Sequence, residues 1–120
     1  MAFYTYNQNN SGGGNWDFDP DAGISAFVIV EANTPADADH KAESIGLYFD
    51  GCDSGRDCDC CGDRWYRAWS DGDAIPTVYG KDVFTASGER CVFAHYFPDD
   101  PQVFVHYADG TVRSAMTPAG

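Results

Sequence analysis

Residues 50–63 hold four of the chain's five cysteines and five of its nineteen acidic residues. Within this segment Cys58 and Cys61 stand in a C-x-x-C-G turn. At that spacing two thiolates on a tight loop converge on one tetrahedral metal, and the following glycine relaxes the backbone. Softness selects the ion, because thiolates prefer Zn²⁺ to the Ca²⁺ or Mg²⁺ that neighbouring carboxylates attract. The favoured reading is therefore a structural Zn²⁺ with Cys58 and Cys61 as its best ligands. Cys52, within reach across the Ser54-Gly55 turn, and Cys60 complete a local set, although adjacent side chains diverge and this weakens Cys60. Additional ligands are sought among Cys91, His95, His40 and His106. Cys91 and His95 share a strand face but lie about 13 Å apart in extended chain, so one metal cannot take both.

Two other readings of the segment stand beside the zinc reading. A redox-active C-x-x-C gains from a lowered thiol pKa, whereas Asp57, Asp59 and Asp63 raise it. The remaining reading is free cysteines in a tight loop. An odd number of cysteines, three of them within four residues, argues against a disulfide framework.

The other constellations carry weaker chemistry. Asp17, Asp19 and Asp21 alternate like the start of a Ca²⁺ loop, but Pro20 intervenes, Ala22 replaces the required glycine and Val28 stands where a bidentate glutamate belongs. Arg64, Trp65, Tyr66, Arg67 and Trp69 interleave cations with aromatics, a pattern that stacks bases or, more simply, packs a core beneath exposed arginines. No G-x-S-x-G, P-loop or H-E-x-x-H occurs, so catalysis has no positive support.

Charge narrows the partners. The net charge is −12, and nine acids against one lysine precede residue 56. Phosphate affinity comes from cationic contacts that release counterions, so direct nucleic-acid binding is disfavoured. The acidic first half reads instead as a solubilising surface, a mimic of nucleic acid or a docking face for a basic partner. The N-terminus lacks a basic start followed by an apolar run, and Ile24–Ala32 is too short to span a bilayer. A cytoplasmic protein without membrane contact is expected.

The elements that must position these residues belong to one domain over 1–120 with one hydrophobic core. Phe3–Asn7 alternates as a strand, and residues 8–23, rich in Gly and Asn, read as a flexible loop. Ile24–Ala32 is the strongest strand and should be central. Thr34 is placed as an N-cap, Pro35 at the first helical position, Asp37 in the first turn and Gly46 at the end, with Ala38, Ala42 and Ile45 as an apolar stripe. Leu47-Tyr48-Phe49 then returns to the core, and a Cys-rich loop follows over about 50–63. Trp65–Trp69 and, more weakly, Pro76–Tyr79 read as strands. Cys91–Phe97, Val103–Ala108 and Thr111–Ala115 form an antiparallel meander. Asp109-Gly110 predicts a two-residue type I′ hairpin, which sets Ala108 against Thr111, Tyr107 against Val112 and His106 against Arg113. The fold class is α+β: a mainly antiparallel sheet, one principal helix and a zinc-knuckle-like loop.

The stretches FYTYNQNNSGG (Phe3–Gly13), DFDPDAGIS (Asp17–Ser25), VIVEA (Val28–Ala32), IGLYFDG (Ile45–Gly51) and GRDCDCCGDRWY (Gly55–Tyr66) resemble an uncharacterised family of small proteins encoded by tailed bacteriophages. The likeness covers roughly the first 69 residues and is most specific around the cysteines. It implies the cytoplasm of an infected bacterium and an accessory role. No activity comes with it, so no catalytic residue is carried over. The expectation is a small acidic, zinc-stabilised protein that binds and modulates a host protein, such as a defence component, rather than an enzyme. The alternatives are sequestration of a small anionic ligand such as a nucleotide by the aromatics and arginines at 64–69, and a thiol oxidoreductase or zinc hydrolase.

Overall fold

Two uninterrupted apolar runs make the centre of the sheet. Val28, Ile29 and Val30 are β-branched and wholly buried in β2 (Phe27–Ala32), and Val103 and Val105 are wholly buried in β5 (Val103–His106). A computed structural model describes residues 1–8, 19, 21–55, 65–68, 72–78, 81–84 and 101–115. Strand β1 (Ala2–Asn7) pairs antiparallel with β2, β2 pairs parallel with β5, and β5 pairs antiparallel with β6 (Val112–Ala115). The order β1-β2-β5-β6 makes β2 central, as expected, in an α+β fold with a mostly antiparallel sheet.

The parallel pair departs from the expected meander. Side chains buried on both faces of adjacent strands suit parallel pairing as well as antiparallel pairing. A parallel pair also demands a crossover, since a tight turn cannot join its ends. That crossover contains the helix, the cysteine segment and a two-stranded hairpin of β3 (Thr77–Val78) and β4 (Lys81–Asp82).

The main helix, α1 (Pro35–Ile45), begins and ends where the sequence places it. Thr34 has extended backbone, and its hydroxyl accepts a hydrogen bond from Asp37 N at 3.1 Å. At the far end Gly46 takes φ 132°, and its N–H closes on Ala42 O. Ala38 and Ala42 are completely buried, and such small side chains let the helix lie close on the sheet. The sheet side facing α1 gathers Tyr4, Tyr6, Val28, Val30, Leu47 and Trp65, while Phe3, Phe27, Ile29, Val103, Val105 and Val83 pack on the other side. Tyr48 and Phe49 pack partly buried against the helix-side cluster.

Several expectations are corrected. Strand β2 starts at Phe27 and not Ile24, because Asp19 and Ile24 pair backbone to backbone (2.9 and 3.0 Å) and close a tight turn just before it. Within the loop expected over 8–23, Gln8 is buried and donates from Nε2 to Ser25 O. Residues 65–68 form no strand: Trp65 is drawn wholly into the core, and Ala68 N–H donates to a carboxylate rather than to a ladder. Of the weak strand at Pro76–Tyr79, Thr77–Val78 forms β3 and Pro76 precedes it, while Tyr79 lies outside the described residues. The strand expected at Cys91–Phe97 lies outside the described residues.

The last hairpin slips by one residue. His106 faces Val112 and Val105 faces Arg113, with Tyr107 N–H donating to Thr111 O at 2.8 Å. The connection is thus three residues, Ala108-Asp109-Gly110, with Gly110 at φ 93°. This is a turn followed by a left-handed glycine, the next commonest hairpin after the two-residue loop. Asp109 Oδ1 accepts from Thr111 N at 2.9 Å and favours the longer loop. Because side chains alternate across a sheet, the slip turns His106 away from Arg113 and toward the helix side. Arg113 instead lies 4.1 Å over the exposed Phe84 ring.

Candidate functional site: the base of the cysteine segment

Asp39 joins three parts of the chain. It follows the buried Ala38 on α1, so it sits at the edge of the packed stripe with its carboxylate half-covered. The Tyr6 hydroxyl, reaching from β1, donates to Asp39 Oδ1 at 2.7 Å, and Ala68 N–H donates to the same oxygen at 2.8 Å. Burial raises the Tyr6 phenol pKa well above its ordinary value, and the hydrogen bond it donates to Asp39 and the Asp39 charge raise it further. Tyr6 therefore stays a neutral donor. Asp39 is consequently an anchor for the segment that leaves the cysteine loop.

The chain entering that loop is tied to the chain leaving it. Asp50 adopts left-handed backbone (φ 56°, ψ 39°) and leads into the single turn α2 (Gly51–Ser54), which Gly55 ends at φ 83°. Arg67 Nη2 and Asp50 Oδ2 are 2.7 Å apart, and the Arg67 guanidinium carbon lies 5.2 Å from the centre of the Phe49 ring. Phe49 in turn tilts against Tyr6, with ring centres 5.9 Å apart. The hydrogen bond from Arg67 holds the Asp50 carboxyl below its usual range. The same bond, with the charges of Asp39 and Glu43, holds Arg67 more firmly charged. Trp65, wholly buried in the helix-side cluster, fixes the exit from below.

Residues 51–66 are thus closed at their base by an ion pair, a cation–π contact, a backbone-to-carboxylate bond and a buried indole. Closing a loop costs entropy, and fixing its ends before a ligand arrives removes part of that cost from binding.

The expected ligands are only partly visible in this frame. Cys52 lies on α2, half-buried. Cys58, Cys60, Cys61, Cys91 and His95 lie outside the described residues. His40 is exposed on α1, and His106 is buried on β5 with its Nε2 donating to Gly23 O at 2.8 Å. Among the described residues no three of His, Cys, Asp and Glu come together in a metal-holding group.

The aromatic segment divides between core and surface. Trp65 is unexposed, Tyr66 is 52% exposed, and Arg67 is engaged by Asp50 and Phe49. Arg64 and Trp69 lie outside the described residues. Trp65 is therefore core, and a base-stacking platform cannot use its ring in this conformation. Asp17 also lies outside them. Asp19 Oδ1 accepts from Ala22 N at 3.2 Å, while Asp21 is exposed on the same turn. Reasoning from sequence passed over Asp39, Tyr6, Phe49 and Asp50. Their signal was present in part: Asp39 adjoins the stripe residue Ala38, and Asp50 opens the cysteine segment.

Among the described residues no helix is long and apolar enough to cross a membrane. A family model described as a domain of unknown function, DUF7296, matches residues 1–118, and the chain belongs to that family. No curated protein and no solved structure matches the chain.

Proposed function

We propose that this member of the DUF7296 family acts by binding and not by turnover: a zinc-stabilised loop and the acidic surface around it dock on a basic site of another protein. Cys58 and Cys61 supply the principal thiolates, and Cys52 and Cys60 complete the set. The sequence resemblance to phage-encoded proteins supplies the setting, an infected bacterium, with a host protein as the partner and a defence component as one such target.

The observation that carries this reading is the closed base of residues 51–66. Arg67 on the leaving side is held to Asp50 and Phe49 on the entering side, and Ala68 beside it is tied to Asp39 of α1. A segment so dense in thiols and carboxylates, yet pinned at both ends, suits ion-assisted folding of its tip. The net charge of −12 supports a basic partner, since complementary potentials speed encounter and select among partners.

Two measurements test the proposal. Metal analysis of purified protein, with thiol counting before and after chelation, is expected to give one zinc per chain protecting three or four thiols; no zinc with five freely reactive thiols refutes the zinc loop. Pull-down from host lysate at rising salt is expected to retain a basic protein at low ionic strength and release it as the charges are screened. Retention of nothing at low salt refutes the docking role.

A further inference from the structure

A second feature lies on the helix side of the sheet, at the edge opposite β1. Among the described residues, Asp21, Ala22 and Gly23 form one wall of an open cavity of about 300 Å³, and Phe104, Val112 and Ser114 from β5 and β6 face them. Its upper wall is held in place. The Asp19–Ile24 backbone pair closes the turn, and Asp19 Oδ1 takes the Ala22 N–H. Gly23 has φ 79°, and His106 binds its carbonyl from below. A cavity walled by fixed backbone needs little reorganisation to accept a ligand.

Its chemistry selects the occupant. Asp21 projects a carboxylate, and among the described residues no group pairs with it. Ser114 adds an exposed hydroxyl, and the nearly buried Phe104 supplies an aromatic surface. Among the described lining residues none is cationic and Asp21 is acidic, so they disfavour an anion. A metal ion is poorly served by the described lining, because Ca²⁺ takes 6–8 oxygen ligands and these residues offer one carboxylate and one hydroxyl from side chains. A flat cation that both pairs with a carboxylate and lies against an aromatic ring is a guanidinium.

We infer that this cavity receives an arginine side chain of the basic protein partner. The inference rests on the docking function proposed above and gives that docking a specific point of attachment, separate from the cysteine segment. The partner's guanidinium pairs with Asp21 and donates to the Ser114 hydroxyl, while its methylene stem lies along Val112.

The test is amide NMR of the ¹⁵N-labelled full chain, titrated separately with N-acetyl-arginine methylamide, the matching citrulline compound, spermidine and an arginine-rich nonapeptide. The expected result is that the arginine compound shifts Ala22, Gly23, Val112 and Ser114, and citrulline does not. Asp21→Asn is expected to weaken this binding roughly threefold, the size expected for an exposed ion pair. Ser114→Arg, which places a guanidinium beside Asp21 within the chain, is expected to abolish it. Both positions are exposed, so both variants are expected to fold, which the dispersion of their amide spectra checks. If spermidine or citrulline moves the pocket amides as far as arginine does, the inference is overturned. If the nonapeptide shifts α1 and the cysteine segment while the pocket stays silent, the inference fails and the docking function stands. If no probe shifts any amide, both fail.

Discussion

Replacing Gly23 with alanine tests the wall shared by the turn and the sheet. A Cβ built at Gly23 would sit 2.6 Å from His106 Cε1 and 2.7 Å from its Nε2, and the backbone there has φ 79°. The conformational cost alone is about 1–2 kcal/mol, since an L side chain at positive φ crowds the following carbonyl. The ring cannot swing aside freely, because His106 is only 5% exposed. Displacing it breaks the 2.8 Å bond to Gly23 O and leaves a buried donor and acceptor unmatched, a further cost of about 1–3 kcal/mol. The expected total is therefore about 2–5 kcal/mol, a large share of the stability of a domain this size.

Gly110 supplies the control. It also has positive φ, 93°, but a Cβ there meets nothing within 4 Å. Gly110→Ala thus carries the conformational cost without the collision. In urea or thermal unfolding Gly23→Ala is expected to be less stable than Gly110→Ala by about 1–3 kcal/mol, or roughly 4–12 °C in melting temperature. In a His106→Ala background the excess should largely vanish, which a double-mutant cycle reads directly. Equal destabilisation by the two glycine variants would refute the account of the His106–Gly23 contact.

Other perturbations address the same frame. His106 has its pKa lowered by burial and by the Lys41 charge, against the opposing pull of the Gly23 bond. The neutral form is thus favoured on folding, so its contribution is complete above the ordinary value of about 6.5 and is lost as pH falls through the lower native value; His106→Gln should flatten that limb in urea titrations between pH 7.5 and 5. Tyr6 is shifted the other way, so the stability it contributes is intact below about pH 10 and declines above it, and Asp39→Asn should lower the phenol pKa in ¹³C-tyrosine NMR titrations. Asp39→Ala removes the acceptor of both Tyr6 and Ala68 N and is expected to cost about 1–3 kcal/mol in denaturant unfolding. Arg67→Ala breaks a half-exposed pair and should barely change the melting temperature, yet, on the zinc loop proposed above, speed zinc release to a chelator by opening the loop base.

Legibility from sequence followed the range of the interaction involved. The helix was readable in full because its signals are local: Thr34, Pro35, Asp37 and Gly46 act within one turn of its ends. The hairpin was readable in kind but not in register. Asp109-Gly110 announces a turn, but the choice between a two- and a three-residue loop depends on Asp109 binding Thr111 N and on the burial of His106. The parallel pairing of β2 with β5 joins residues some seventy positions apart, and no local pattern encodes it. A clue lay in the unbroken runs Phe27–Val30 and Val103–Val105, which do not alternate as one-sided antiparallel strands do. Trp65 was readable as core, the simpler of the two readings of its aromatic segment, but not as a non-strand residue, since aromatic residues in sequence favour a strand and only tertiary packing sends the indole inward. The expected zinc ligands Cys58, Cys60 and Cys61 rest on spacing alone, and Cys91 stays a possible additional ligand, since all four lie outside the described residues.

The sheet order gives the two proposed attachment points a common geometry. The loop base gathers at β1 through Tyr6, and the arginine cavity opens at β6 through Val112 and Ser114. Both lie on the side that carries α1, because Tyr4, Tyr6, Phe104 and Ser114 all occupy the sheet face opposite Phe3, Ile29 and Val105. Three strand spacings separate the edges, about 14 Å across the sheet. Between them α1 exposes Asp37 and Glu43. A partner surface that engages both ends must therefore carry a protruding arginine about one helix diameter or more from the basic patch that meets the cysteine segment, with positive charge in between. Loss of either end removes a contact without disturbing the other, so Asp21→Asn and chelation of zinc should weaken partner binding by independent, multiplying factors. If either change abolishes the effect of the other, the two ends do not form separate points of contact.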